Sequence, residues 1–175
     1  MTRTLAYTYS DDYLKYNLGK YHPMGPMRIQ VSDNLLRCSP LSERMQTFKP
    51  RQATHEELLS FHDPKYIKVV ESVSATLEEA TDYGLGTIEC PVFPDLHTSA
   101  STIVGGMLEA TKRVITGETQ HEFPILAGMH HAHADRADGF CYYNDVVIAL
   151  KYALEQGRIL RELEFDLPIR TSVSN

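Results

Sequence analysis

Three histidines, His130, His131 and His133, fall within four residues, and Asp135 follows two places after the last of them. These residue types support two chemistries at this spacing. His131, His133 and Asp135 alternate, and side chains two apart on an extended segment point the same way. Neutral imidazoles placed so can share a zinc ion, with the aspartate as a further ligand. Arg136 stands next in the chain, however, and a cation beside a dication is unfavourable. His130 and His131 are adjacent, and a bend can aim both rings into one pocket. Two imidazoles that close cannot both hold a proton cheaply. One can act as base and the other as acid, provided a metal or carboxylates hold them in place. The third reading is a polar surface loop with no chemistry.

The choice depends on the elements that hold the run. FPILAGM (residues 123–129) is an apolar run of strand length directly before it. The histidines then sit at the carboxyl end of a strand, where ligands gather in open α/β sheets. YNDVVIALKYALEQG follows and predicts a helix, with Val146, Val147, Leu150 and Leu154 on one face and Gly157 at its end. Upstream, LAYTYS (5–10) and MQTFKP (45–50) read as strands. HPMGPMRIQVSDNLLRC reads as a helix entered through Pro23 and Pro26, with Ile29, Leu35 and Leu36 at helical spacing. Thr54 and Glu57 form a capping-box signature. Asp63 caps a further helix with Pro64 in its first turn and Tyr66, Ile67, Val70 and Val73 as its apolar stripe. Residues 82–99 read as a long loop. ASTIVGGMLEATKRVITG (100–117) then predicts a long amphipathic helix on which Ile103, Val104, Met107, Leu108, Thr111, Val114 and Ile115 share a face, stopped by Gly117. Gly105 and Gly106 each cost about 1 kcal/mol of helix propensity relative to alanine, which points to a closely packed neighbour. Strands alternating with helices predict the α/β class, as a three-layer α/β/α arrangement with a mainly parallel sheet.

Composition narrows the function classes. The 175 residues suit one domain, and 42% hydrophobic with 23% charged residues is ordinary for a soluble globular protein. A net charge of −6 without a basic block predicts no direct nucleic-acid contact, and is compatible with a cationic substrate such as a lysine-bearing peptide. The three cysteines, Cys38, Cys90 and Cys141, form no CxxC pair, so a reducing compartment is expected. The N-terminal residues lack the apolar core of a signal peptide, and no apolar run approaches the roughly 20 residues of a membrane span. The expectation is a soluble intracellular protein of the nucleus or cytoplasm, without membrane contact.

The residues beyond the histidines add a resemblance. GMHHAHADRADGFCYYND resembles the zinc-dependent histone deacetylase family, which includes the bacterial acetoin-utilization proteins, through His130, His131, Gly139, Phe140, Cys141, Tyr142, Asn144 and Asp145. Two further stretches occur in that family's order. HPMGPMRIQVSDNLL matches through His22, Pro23, Pro26 and Arg28, and YGLGTIECPVFPDL through Glu89, Cys90 and Pro91. IVGGMLEA is similar to the glycine-containing helix that follows. The resemblance runs from about Leu5 to Leu160 and implies the arginase-deacetylase-like form of the α/β fold. The competing HxHxD pattern is that of metallo-β-lactamase-type hydrolases, which usually place a histidine where Arg136 stands.

Roles follow from the resemblance residue by residue. His130 and His131 match the two active-site histidines that handle the proton of the attacking water and of the leaving lysine amine. Gly139 and Phe140 match the wall of the narrow tunnel for the acetyl-lysine stem, where an aromatic face can flank an aliphatic chain. Glu89 stands where many members have an aspartate that bonds the substrate backbone. Arg28 matches an arginine of the inner channel by which acetate is thought to leave. Cys141 lies by the same pocket and reads as buried rather than nucleophilic. His133, Asp135 and Asp138 fall in a spacer and read as solvent-facing. The implied substrate is an acetylated lysine peptide or a small acetylamine.

The resemblance also implies Zn2+, held by an Asp-x-His motif after the next strand and by a later aspartate. That strand is expected near GRIL (157–160), but RELEFDLPIRTSVSN follows and no histidine occurs after His133. The expectation is therefore an N-terminal half of a deacetylase domain over residues 1–160, with a divergent tail over 161–175. No metal ligands are assigned in this chain, which is expected to be inactive alone. The missing later strands are expected to leave an open, aggregation-prone sheet edge that a protein partner or full-length homologue can cover. A non-catalytic binding fragment is thus the alternative function.

Overall fold

Leu5–Thr8 is the central strand, β1, and its last three residues are buried. The structure is a computed structural model that describes residues 5–157; the strand expected near GRIL and the tail over 161–175 lie outside the described residues. Met45–Phe48 (β2) and His121–Pro124 (β3) flank β1, both parallel to it, in the order β2-β1-β3. Successive strand residues point to opposite faces. The Tyr7 hydroxyl accordingly meets one layer, donating to Asp33 at 3.0 Å, and Thr8 meets the other, accepting from Arg113 at 3.0 Å. Asp33 belongs to α1 (Pro26–Cys38) and Arg113 to α4 (Leu96–Thr116). Helices therefore cover both faces of a parallel sheet, the three-layer α/β/α arrangement that the alternation of elements predicts.

Local signals account for most helix starts. Pro26 opens α1, and α2 (His55–Leu59) opens on the expected box: Thr54 Oγ1 accepts from the Glu57 amide at 3.2 Å, and the Glu57 carboxylate from the Thr54 amide at 2.8 Å. Asp63 caps α3 (Pro64–Thr76) through the Lys65 amide, and Tyr66, Ile67, Val70 and Val73 are buried as predicted. Gly117 ends α4 in the left-handed region. Gly105 and Gly106 allow the close packing that their cost implies. A Cβ on Gly105 would run into the Arg51 carbonyl and the Ala53 amide, and one on Gly106 into the Tyr13 hydroxyl.

Four sequence expectations are corrected. In α1 the buried face is Ile29 and Asp33, and Leu35 is 71% exposed, because Asp33 is drawn inward by Tyr7 and paired to Arg37. Helix α4 begins at Leu96, taking up residues assigned to the loop. The β3 ladder spans His121–Pro124, not residues 123–129. β1 is four residues long, so after the Ile125 amide bonds Thr8 there is nothing left to pair with. In α5 (Asp145–Glu155) the buried residues are Asp145, Ile148, Ala149 and Ala153, and Leu154 is half exposed. α5 packs on α4, and its buried face carries two small alanines beside Ile148.

Candidate active site

Past Ile125 the chain leaves the sheet and loops back to α5, and the start of α5 holds that loop. The buried Asp145 carboxylate accepts from the amides of Gly128 at 2.9 Å and Met129 at 2.6 Å. Burial pushes its pKa up to about 6, while these backbone hydrogen bonds pull the other way. Asn144 caps α5 with its side-chain oxygen, which accepts from Val147 at 3.0 Å. Its Nδ2 donates to the carbonyls of His130 at 3.1 Å and Ala132 at 2.9 Å. From the junction of α2 and α3, His62 Nε2 accepts from the Asn144 amide at 2.9 Å, and its Nδ1 lies 3.3 Å from the Ala134 carbonyl. Burial holds the His62 pKa down, at about 4. With one nitrogen accepting from an amide, the ring is neutral and its proton sits on Nδ1.

This scaffold presents His130 and His131 together. Their Nε2 atoms are 3.1 Å apart, so one ring donates and the other accepts. His131 is exposed and His130 half-buried. Gly139, at φ +49°, lies directly against the His131 ring: a Cβ there would sit 2.6 Å from its Cγ. Phe140 follows in the left-handed region at φ +71°, unusual for an aromatic residue. Its carbonyl accepts from the buried Tyr16 hydroxyl at 2.5 Å, and its ring meets His22 edge-on with centroids 4.5 Å apart. Cys141 is buried, and burial pushes its thiol pKa up to about 12, which suits packing and not nucleophilic attack.

Phe140 and Glu89 line one cleft of about 590 Å3, whose walls also include Lys20, Tyr21, His22, Pro23 and Ile88. Gly139, which precedes Phe140 in the chain, carries the contact with the His131 ring. His22 accepts from the Met24 amide at 3.1 Å, and burial lowers its pKa. Arg28 lies on the first turn of α1, exposed, its guanidinium 3.2 Å from Met24 Sδ, in a neighbouring cleft of about 710 Å3 that shares His22 and Pro23.

The HxHxD residues do not converge. His131 pairs with His130, while His133 lies 3.1 Å from Arg136 and 3.4 Å from Asp138. Asp135 pairs with Arg136. His133, Asp135 and Asp138 are exposed, as expected for a spacer. Sequence reasoning missed His62 and Tyr16 altogether. It registered Asn144 and Asp145 as a helix opening without seeing that they also hold the histidine loop.

Residues 22–167 match the histone deacetylase domain. The chain belongs to the histone deacetylase family. It is 36% identical over 153 residues to the acetoin utilization protein AcuC of Bacillus subtilis (strain 168), covering 86% of this chain and 40% of that protein. It is 34% identical over 154 residues to AcuC of Staphylococcus aureus (strain MW2), again covering 86% and 40%. Histone deacetylase B of Dictyostelium discoideum is 34% identical over 152 residues, covering 83% and 35%. The chain thus spans about two fifths of the length of these curated relatives. Membership of the deacetylase family does not favour the metallo-β-lactamase reading, and the scattered HxHxD side chains agree. Among the described residues no three His, Cys, Asp or Glu side chains gather so as to hold a metal ion. The zinc that the deacetylase family implies therefore finds no fitting ligand set among the described residues.

Proposed function

We propose that this chain contributes the acid/base half of a site that hydrolyses the amide of acetyl-lysine or a related acetylamine. The observation behind this reading is the His130–His131 pair, joined at 3.1 Å and seated on Gly139, whose chain neighbour Phe140 lines a cleft with Glu89. Two rings that share one proton can accept a proton from an attacking water on one Nε2 and return one to a departing amine from the other. The acyl-lysine stem runs along Phe140, with Glu89 at the rim meeting the substrate backbone. Arg28 favours the anionic acetate product.

The chain is expected to bind such substrates and not to turn them over by itself. A peptide carrying acetyl-lysine, titrated into the 175-residue chain, should shift the NMR signals of Glu89, Gly139, Phe140 and His131 more than its unacetylated control. Equal shifts from the two peptides refute the assignment. Stoichiometric zinc bound tightly to the purified chain, with deacetylation abolished by His130→Ala, overturns the claim of inactivity.

A second reading, binding to a protein partner, has its own observation. Among the described residues β3 has no neighbour on one side, Phe123 is 43% exposed, and a cleft of about 650 Å3 lined by Met107, Thr111, Val114 and His121 lies alongside. A full-length homologue pairing with this edge is the expected partner. No association at micromolar concentration refutes it. The expected compartment is the nucleus or cytoplasm, and no described helix is long and apolar enough to cross a membrane.

A further inference from the structure

The junction of α2 and α3 lies far from the histidine pair in sequence, yet it places one side chain between the loop that bears the pair and the helix that holds the loop. We propose that His62 is a positioning residue for His130 and His131, fixing their loop through the Asn144 amide on one side and the Ala134 carbonyl on the other. This rests on the reading of His130–His131 as the acid/base pair.

The geometry sets out the route. His62 Nε2 accepts from the Asn144 amide at 2.9 Å. That bond fixes the backbone from which the Asn144 carboxamide reaches His130 O and Ala132 O, the two carbonyls that flank His131. On its other side His62 Nδ1 faces the Ala134 carbonyl at 3.3 Å, and the neighbouring Asp63 amide donates to the same carbonyl at 2.8 Å. The loop is thus held at residues 130, 132 and 134 by groups anchored at His62 and its two bonded neighbours.

Packing alone does not require a histidine here. His62 is 2% exposed and lies among Phe61, Tyr66 and Tyr143, with ring centroids 4.9, 5.6 and 5.1 Å away. A phenyl ring would fill that site without desolvating two nitrogens. What a phenyl ring lacks is an acceptor aimed at Asn144 and a donor aimed at Ala134. The polar cost is met by two backbone bonds that both bear on the histidine loop, and neither joins His62 to its own helix.

Three substitutions separate these roles in the 175-residue chain. His62→Phe keeps the ring and removes both bonds. His62→Gln can keep the acceptor toward Asn144, and His62→Asn the donor toward Ala134. The readout is the set of ring 15N signals of His130 and His131, which report their Nε2–Nε2 hydrogen bond without requiring activity. His62→Phe should shift both rings away from their wild-type signals, and His62→Gln should restore them in greater part than His62→Asn, because Asn144 holds the carbonyls that flank His131. Ring signals unchanged in His62→Phe, with only the unfolding midpoint lowered, reduce His62 to a core residue and overturn the proposal. If His62→Phe does not fold, the Gln and Asn variants decide: wild-type ring signals in both also overturn it. Failure of acetyl-lysine binding with these signals still responding to His62 would count against the proposed substrate and leave the positioning role standing.

Discussion

Replacing Gly139 by alanine tests how the histidine pair is seated. Gly139 lies at φ +49°, where an L-residue with a Cβ costs about 1–2 kcal/mol. The added Cβ would also stand 2.6 Å from His131 Cγ and 2.9 Å from its Cδ2. Ordinary contact begins near 3.4 Å, so the ring must move by close to 1 Å. The Nε2–Nε2 separation starts at 3.1 Å, and such a move stretches or breaks that bond. Losing one hydrogen bond at a partly exposed site adds about 1 kcal/mol. The sum is about 2–3 kcal/mol, which lowers the melting temperature by roughly 5–10 °C in a chain of this size. Gly128→Ala is the control, because Gly128 also has positive φ but opens onto free space. It should cost the backbone part alone and leave the His131 ring signals in place. Thermal unfolding and ring 15N spectra of both variants decide the matter. If Gly139→Ala melts with Gly128→Ala and leaves His131 unmoved, the packing argument is wrong.

Gly105→Ala should destabilise by about 1–3 kcal/mol in urea unfolding, although alanine is the better helix former, because its Cβ meets the Arg51 carbonyl and the Ala53 amide; a gain in stability refutes this. Arg113 is buried between Glu122 and Thr8, so Arg113→Ala should cost about 3–5 kcal/mol by stranding the Glu122 carboxylate. A loss under about 1 kcal/mol would mean that water reaches the pair. His62, held at about 4 when folded against 6.5 for a free histidine, binds more protons in the unfolded chain between those values. Its contribution of about 3 kcal/mol is present above pH 6.5 and lost as pH falls toward 4. Asp145, held up at about 6, works in the opposite sense. The test is therefore the difference between the wild type and His62→Gln in urea unfolding from pH 7 to 4, and parallel curves contradict it.

What could be read in the sequence was local, and what could not be read depends on distant partners. Caps are satisfied within three residues, so Thr54, Glu57 and Asp63 announced α2 and α3 correctly. The Gly105–Gly106 pair announced close packing, though not the segment 51–53 and the Tyr13 hydroxyl that demand it. The apolar faces of α1 and α5 were misread because hydrophobicity alone set them. A tyrosine on β1 pulls Asp33 inward, and the buried face of α5 carries Ile148, Ala149 and Ala153, with Leu154 outside it. Strand β3 was placed too late because FPILAGM is uniformly apolar, and only the length of β1 decides where pairing stops.

The histidine site divides along the same line. His130, His131, Gly139 and Phe140 stand close together in the chain, so their nearness in space is legible from it. His62 could not, because its partner Asn144 is 82 residues away and a lone histidine beside a cap has no signature. The loop that carries the two histidine rings is held through its backbone: Asp145 binds two amides before them, Asn144 two carbonyls around His131, and His62 the carbonyl of Ala134. The loop's path is thus set by backbone bonds to Asp145, Asn144 and His62. Substitutions in the clamp should therefore move the rings, and substitutions of the rings should leave the clamp intact. His131→Ala keeps all of these backbone bonds and loses the ring–ring bond, so it should cost only about 1 kcal/mol, whereas Asn144→Ala removes the bonds to two carbonyls and the α5 cap and should cost more and disturb both rings. A His131→Ala chain as destabilised as Asn144→Ala would mean that the rings hold the loop rather than the reverse.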